Sequence, residues 1–167
     1  MNRWAPINVL VGLLLAATGS VALAQEQSPA ATADPRVEAA LKAVGLAYSL
    51  DGGDYRLEYD LEGDRSQVVW VASGTARLDR LEFRDVWSVA ARGTGEVSAD
   101  VARLLLKENA RMVLGGWAVN QGQDEYLVVF TAQVSADAPP AALQEVIEVV
   151  ALSTDRIEKE LATTDEF

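Results

Sequence analysis

Between Pro140 and Leu161 the apolar residues Leu143, Val146, Ile147, Val150, Ile157 and Leu161 recur at steps of three and four, with Thr154 filling the gap. That spacing predicts one long helix with a continuous apolar stripe and sets Glu145, Glu148, Arg156, Glu158, Lys159 and Glu160 off it. A stripe of this length needs a broad apolar surface, and the preceding segments read as the strands that supply one. Tyr55, Leu57, Tyr59 and Leu61 alternate with Arg56, Glu58 and Asp60, the pattern of a half-buried strand. From Gln67 to Ala72, Val68 and Trp70 point one way and Val69 and Val71 the other, which predicts a central strand or an exposed patch. Leu81, Phe83, Trp87 and Val89 alternate again, with Asp85 as the exception.

The punctuation agrees with these periods. Asp34-Pro35 is an N-cap followed by Pro at the first helical position, Val37, Ala40, Leu41 and Val44 share a face, and Gly45 stands where a left-handed C-cap belongs. Ala47 to Leu50 reads as a short strand before the tight turn Asp51-Gly52-Gly53-Asp54, and Glu62-Gly63-Asp64 turns the chain again. After Gly93-Thr94-Gly95, Ser98 caps a second helix with Val101, Leu104, Leu105 and Met112 as its buried stripe. Val113 to Val119 and Glu125 to Val134 form a hairpin, and Pro139-Pro140 opens the long helix. The expected fold is therefore α+β. It is a twisted antiparallel sheet of five or six strands with helices on one face, in the order α-β(3-4)-α-β-β-α.

At 167 residues, half of them apolar, the chain holds one self-sufficient core. It has no Cys and no His, which excludes disulfides, thiolate nucleophiles, His bases and Cys/His zinc sites. The formal charge of −11, with no basic cluster, argues against nucleic-acid and anionic-membrane partners and favours basic, amphipathic or neutral ones.

Arg3, the apolar run Ile7 to Ala17, and the small pair Ala22 and Ala24 around Leu23 form the pattern of a secretory leader cleaved after Ala24. The apolar run is shorter than the roughly 20 residues of a membrane span, so no stable anchor is expected after cleavage. Residues 1–24 are thus expected to be a signal peptide, 25–33 a flexible linker and 34–167 the domain. A periplasmic or secreted location follows.

Reactive constellations are weak. Asp60, Glu62 and Asp64 alternate around a turn but lack the ligand ladder of a calcium loop, and Asp51 and Asp54 flank two turn glycines. Ser73-Gly74-Thr75 has no nucleophile elbow and no His to serve as base. No catalytic residue, metal or cofactor is expected. The candidate partner contacts are Arg65 and Gln67, as outward polar groups, and Trp70, Trp87 and Trp117, either as an anchor patch or as ordinary core.

Several words along the chain resemble the YbjN-like proteins, which are grouped with the type III secretion chaperone fold. They are Arg65-Ser66-Gln67-Val68-Val69-Trp70-Val71, Leu105-Leu106-Lys107-Glu108-Asn109, Gly116-Trp117-Ala118-Val119, and Thr154 to Leu161 with the ending Asp165-Glu166-Phe167. In order they cover most of Asp34 to Phe167. The resemblance implies an α+β domain without enzymatic activity, described loosely as a regulator of sensory transduction. Its secretion-chaperone relatives dimerise and hold extended client segments.

The expected function is an exported, non-enzymatic interaction module, chaperone-like or regulatory. It binds protein segments through a sheet edge or an apolar patch beside the second helix, as a monomer or homodimer. The alternatives are a carrier of a small apolar ligand between sheet and long helix and, behind it, a carboxylate-based hydrolase.

Overall fold

A computed structural model describes residues 32–161. The expected leader with its cleavage pair Ala22 and Ala24, nearly all of the linker, and the tail 162–167 lie outside the described residues. Three helices and seven strands follow in the order α1 (Pro35–Val44), β1 (Ser49–Asp51), β2 (Asp54–Leu61), β3 (Arg65–Val71), β4 (Ala76–Leu78), β5 (Leu81–Thr94), α2 (Ala99–Asn109), β6 (Gly116–Gln121), β7 (Glu125–Ser135) and α3 (Pro140–Leu161). No helix among the described residues is long and apolar enough to cross a membrane.

All strand pairs are antiparallel in one sheet of order β1-β2-β3-β5-β7-β6, with β4 pairing the start of β5. The sheet thus has seven strands rather than the expected five or six. The added strand is β4, which lies on the same side of β5 as β3 after a break at residues 72–75. β5 runs through Gly93 to Thr94, with a register shift between Val89 and Ala91. There Tyr126 lies over Gly93, filling the space a side chain would take.

The helices begin where local chemistry directs them. The Asp34 carboxylate accepts from the Arg36 N–H, Gly45 closes α1 at φ 73°, and the Ser98 hydroxyl accepts from the Val101 N–H. α2 ends at Asn109, three residues before Met112, which packs against the core from the following loop.

All three helices pack on one face of the sheet. One cluster joins Val37 and Leu41 of α1, Leu105 of α2, and Leu143, Ile147, Val150 and Ile157 of α3 to sheet residues including Leu57, Val69, Val86 and Phe130. α3 packs mainly on β5, flanked by β3 and β7. Ser88, Ala90 and Ala132, with Ala151 on the helix, keep that crossing thin enough for close approach.

The helices cover the parity of β5 opposite to its apolar alternation. In β5 the helix-facing set is Arg84, Val86, Ser88 and Ala90, and the apolar alternation Phe83, Trp87, Val89 faces the other way. Glu158, expected off the stripe of α3, is completely buried.

Candidate functional site

Two of the five candidate contact residues share the face that no described helix covers. Trp70 and Trp87 are directly opposed partners on β3 and β5, both half-buried. Their indoles stack with centroids 4.5 Å apart and planes 8° from parallel. The Trp70 Nε1–H donates to Asp51 Oδ2 at 3.0 Å, which fixes the pair to the end of β1. Val68, Val89 and Val129 stand on the same face. They are buried yet belong to no part of the helix-side cluster, so neighbours on their own face shield them. This is the exposed-patch alternative read from Val68 and Trp70, and β3 is central as well.

Beside the stack the sheet opens. Ala72 donates its N–H to Asp85 O, and then the chain leaves β5 until Ala76. Ser73 turns inward, donating Oγ–H to Gly53 O at 2.6 Å and accepting the Asp34 N–H at 3.1 Å. Arg84, nearly buried, donates to Ala72 O at 2.7 Å and to Asp34 Oδ2 at 2.8 Å. The break leaves a concavity of about 700 Å³ lined by Asp54, Ala72, Thr75, Phe83, Asp85 and Gln133, among others.

Both carboxylates there are held by one oxygen. Asp54 Oδ1 accepts the Ser73 N–H at 2.8 Å and Asp85 Oδ1 accepts from Gln133 Nε2 at 2.8 Å. Further acids flank the stack. Glu58 and Asp60 share its face by register with Val68 and Ser66, while Arg56, opposite Trp70, and Arg92 are the cations there.

The other three candidates lie elsewhere: Arg65 and Gln67 are corrections, and Trp117 takes the ordinary-core alternative. Arg65 and Gln67 face α3, not solvent. Arg65 donates to Asp155 Oδ1 at 2.6 Å and Glu158 Oε2 at 2.9 Å, and buried Gln67 donates to Glu158 and accepts from Ser88. The β2–β3 turn starts β3 in the parity that aims residue 65 at the helix side, where two acids of α3 need cations. Trp117 is core: it is only 6% exposed and packs against Phe130, its Nε1–H without an acceptor among the described residues.

The shifted carboxylates are structural. Arg36 and then Arg84 hold Asp34 far below its ordinary value despite burial, and Arg156 lowers Glu108. Burial is the largest influence on Asp155 and raises it, but Lys159 and Arg65 together carry it below normal. A general acid requires the opposite shift. Asp60, Glu62 and Asp64 remain exposed at their turn, and no group of three metal-ligating side chains occurs among the described residues.

The sheet-facing residues of α3, Leu143, Ile147, Val150 and Ile157, are all buried in the core cluster. The crevice beside Val37 and Leu143 measures about 10 Å³, no more than one water.

Sequence reasoning missed Arg84 and Asn109. Arg84 interrupts the helix-facing parity of β5 just as Asp85 interrupts the other, and that double break was the available signal. Asn109 of α2 donates to Trp117 O at 3.0 Å and accepts the Trp117 N–H at 2.6 Å, occupying the free edge of β6. No protein-family model, no curated protein and no solved structure matches this chain.

Proposed function

We propose that this chain is an exported, non-enzymatic interaction module, YbjN-like and akin to the secretion chaperones, that binds a protein segment on its uncovered sheet face. The observation that carries this reading is the Trp70–Trp87 stack on the side away from all three helices. Paired indoles are rigid, large in apolar area and polar only at Nε1, the properties of an interface anchor. A domain with a complete core on one side has no folding need for two tryptophans on the other.

The sheet edges support binding less well than the face. β1 offers three residues, and Asn109 already satisfies Trp117 on the β6 edge. Self-association through the face would oppose like acidic rims.

The test compares capture by the wild-type chain and by a Trp70→Ala/Trp87→Ala variant, with folding checked by near-ultraviolet dichroism of the retained Trp117. Partners that bind the wild type and are lost from the folded variant support the reading. Recovery of the same partners by both, or of none by either, overturns it.

A further inference from the structure

Resting on that reading, we infer the chemistry of the partner: an extended cationic–apolar segment. Its Arg or Lys enters the concavity between Asp54 and Asp85, and the side chain two residues away lies against the Trp70–Trp87 pair.

Spacing is the first support. Ala72 follows Trp70 by two residues and Asp85 precedes Trp87 by two, so the acidic and aromatic positions are successive same-face sites on neighbouring strands. An extended peptide repeats its own same-face side chains at the same interval of about 6.6 Å. Residues i and i+2 of one strand-like segment therefore match the two subsites without bending.

The anchoring of the acids is the second. Asp54 and Asp85 each bind a neighbour through Oδ1, and neither Oδ2 has a partner among the described residues. Each carboxylate is oriented before any ligand arrives and retains one acceptor for it. Preorganised acceptors of this kind suit a guanidinium or ammonium donor. The buried Arg84 also lines the concavity, but its guanidinium is ion-paired with Asp34 and donates to the Ala72 and Ala136 carbonyls, so Asp54 and Asp85 have no ion pair with it.

The third is the field of the face. Asp51, Glu58 and Asp60 add to Asp54 and Asp85, against Arg56 and Arg92 on the same surface. Arg92 itself lies 4.0 Å from Glu125. The flat indoles add a favourable surface for a cation, and most of all for a planar guanidinium.

The test uses three synthetic peptides built on a Leu-Ser-Arg repeat, with Arg retained, replaced by Gln, or replaced by Glu. Binding is read by tryptophan fluorescence and calorimetry. The Arg peptide is expected to bind and to weaken with salt, and the Glu peptide not to bind. Asp54→Asn/Asp85→Asn is expected to weaken the Arg peptide about tenfold while leaving the thermal midpoint close to wild type. Glu145→Gln/Glu148→Gln on the exposed side of α3 makes the same charge change and is expected to leave affinity unaltered.

Equal binding of the Arg and Gln peptides, with loss on Trp70→Ala/Trp87→Ala, overturns this inference and leaves the binding face standing. Equal weakening by the two acid-to-amide pairs assigns the attraction to net charge and also overturns it. Absence of binding by the Arg peptide does the same.

Discussion

Asn109 holds both backbone groups that Trp117 turns away from β7: its amide nitrogen donates to the carbonyl at 3.0 Å and its amide oxygen accepts the N–H at 2.6 Å. One side chain at the end of α2 thus stands in for a neighbouring strand. It satisfies two edge groups and denies that edge to another chain.

Asn109→Ala should therefore lose about 1–3 kcal/mol in denaturant unfolding, since two part-buried backbone groups lose their partner. It should also increase self-association measured by light scattering. An unchanged midpoint with unchanged scattering would show the clasp to be incidental.

Arg65 donates from one side chain to both Asp155 and the fully buried Glu158. Arg65→Ala leaves those acids under-compensated and should cost about 3–5 kcal/mol. Arg65→Leu combined with Glu158→Leu should recover most of that loss, because the charge is removed along with its partner. If the two single losses simply add in the double variant, the coupling is absent.

Stability should fall in acid. Asp34, Glu108 and Asp155 all have folded-state values below their ordinary ones, through Arg36, through Arg156, and through Lys159 with Arg65 against burial. The unfolded chain then takes up protons at a higher pH than the folded chain. The stabilisation is complete above the unfolded values near 4 and is lost as pH descends through the folded ones. Denaturant midpoints should be level from about pH 7 to 5 and decline steadily below about pH 4. A level midpoint down to about pH 3 contradicts the assignment.

Two glycines rank by what an added methyl would strike. At Gly115, φ is 77° and a Cβ would lie 2.6 Å from the Thr131 carbonyl oxygen, which is backbone and cannot step aside. Gly115→Ala should cost roughly 2 kcal/mol or more. At Gly93 the Cβ would meet the Tyr126 ring at 2.3 Å, and that ring can rotate away at the expense of its packing. Gly93→Ala should cost about 1 kcal/mol, and thermal melts giving the reverse order would refute the distinction.

What the chain determines by itself is local. The bounds of α3, the Asp34 and Ser98 caps, Gly45 at φ 73°, and the alternation of β2 depend on groups within a few residues of one another, so they are visible in one dimension. Period and cap chemistry carry no information about which parity of a two-sided strand meets a helix. The tertiary structure decided that by laying α3 over the smaller residues of β5, Ser88 and Ala90, which moved Trp87 and its stacking partner Trp70 to the uncovered face. It also decided the fate of Arg65, whose acceptor Glu158 lies 93 positions away, and of Arg84, whose acceptor Asp34 lies 50 positions away. A polar residue reads as a solvent contact until the fold brings its counter-charge within about 3 Å, and only chain closure over such distances does so.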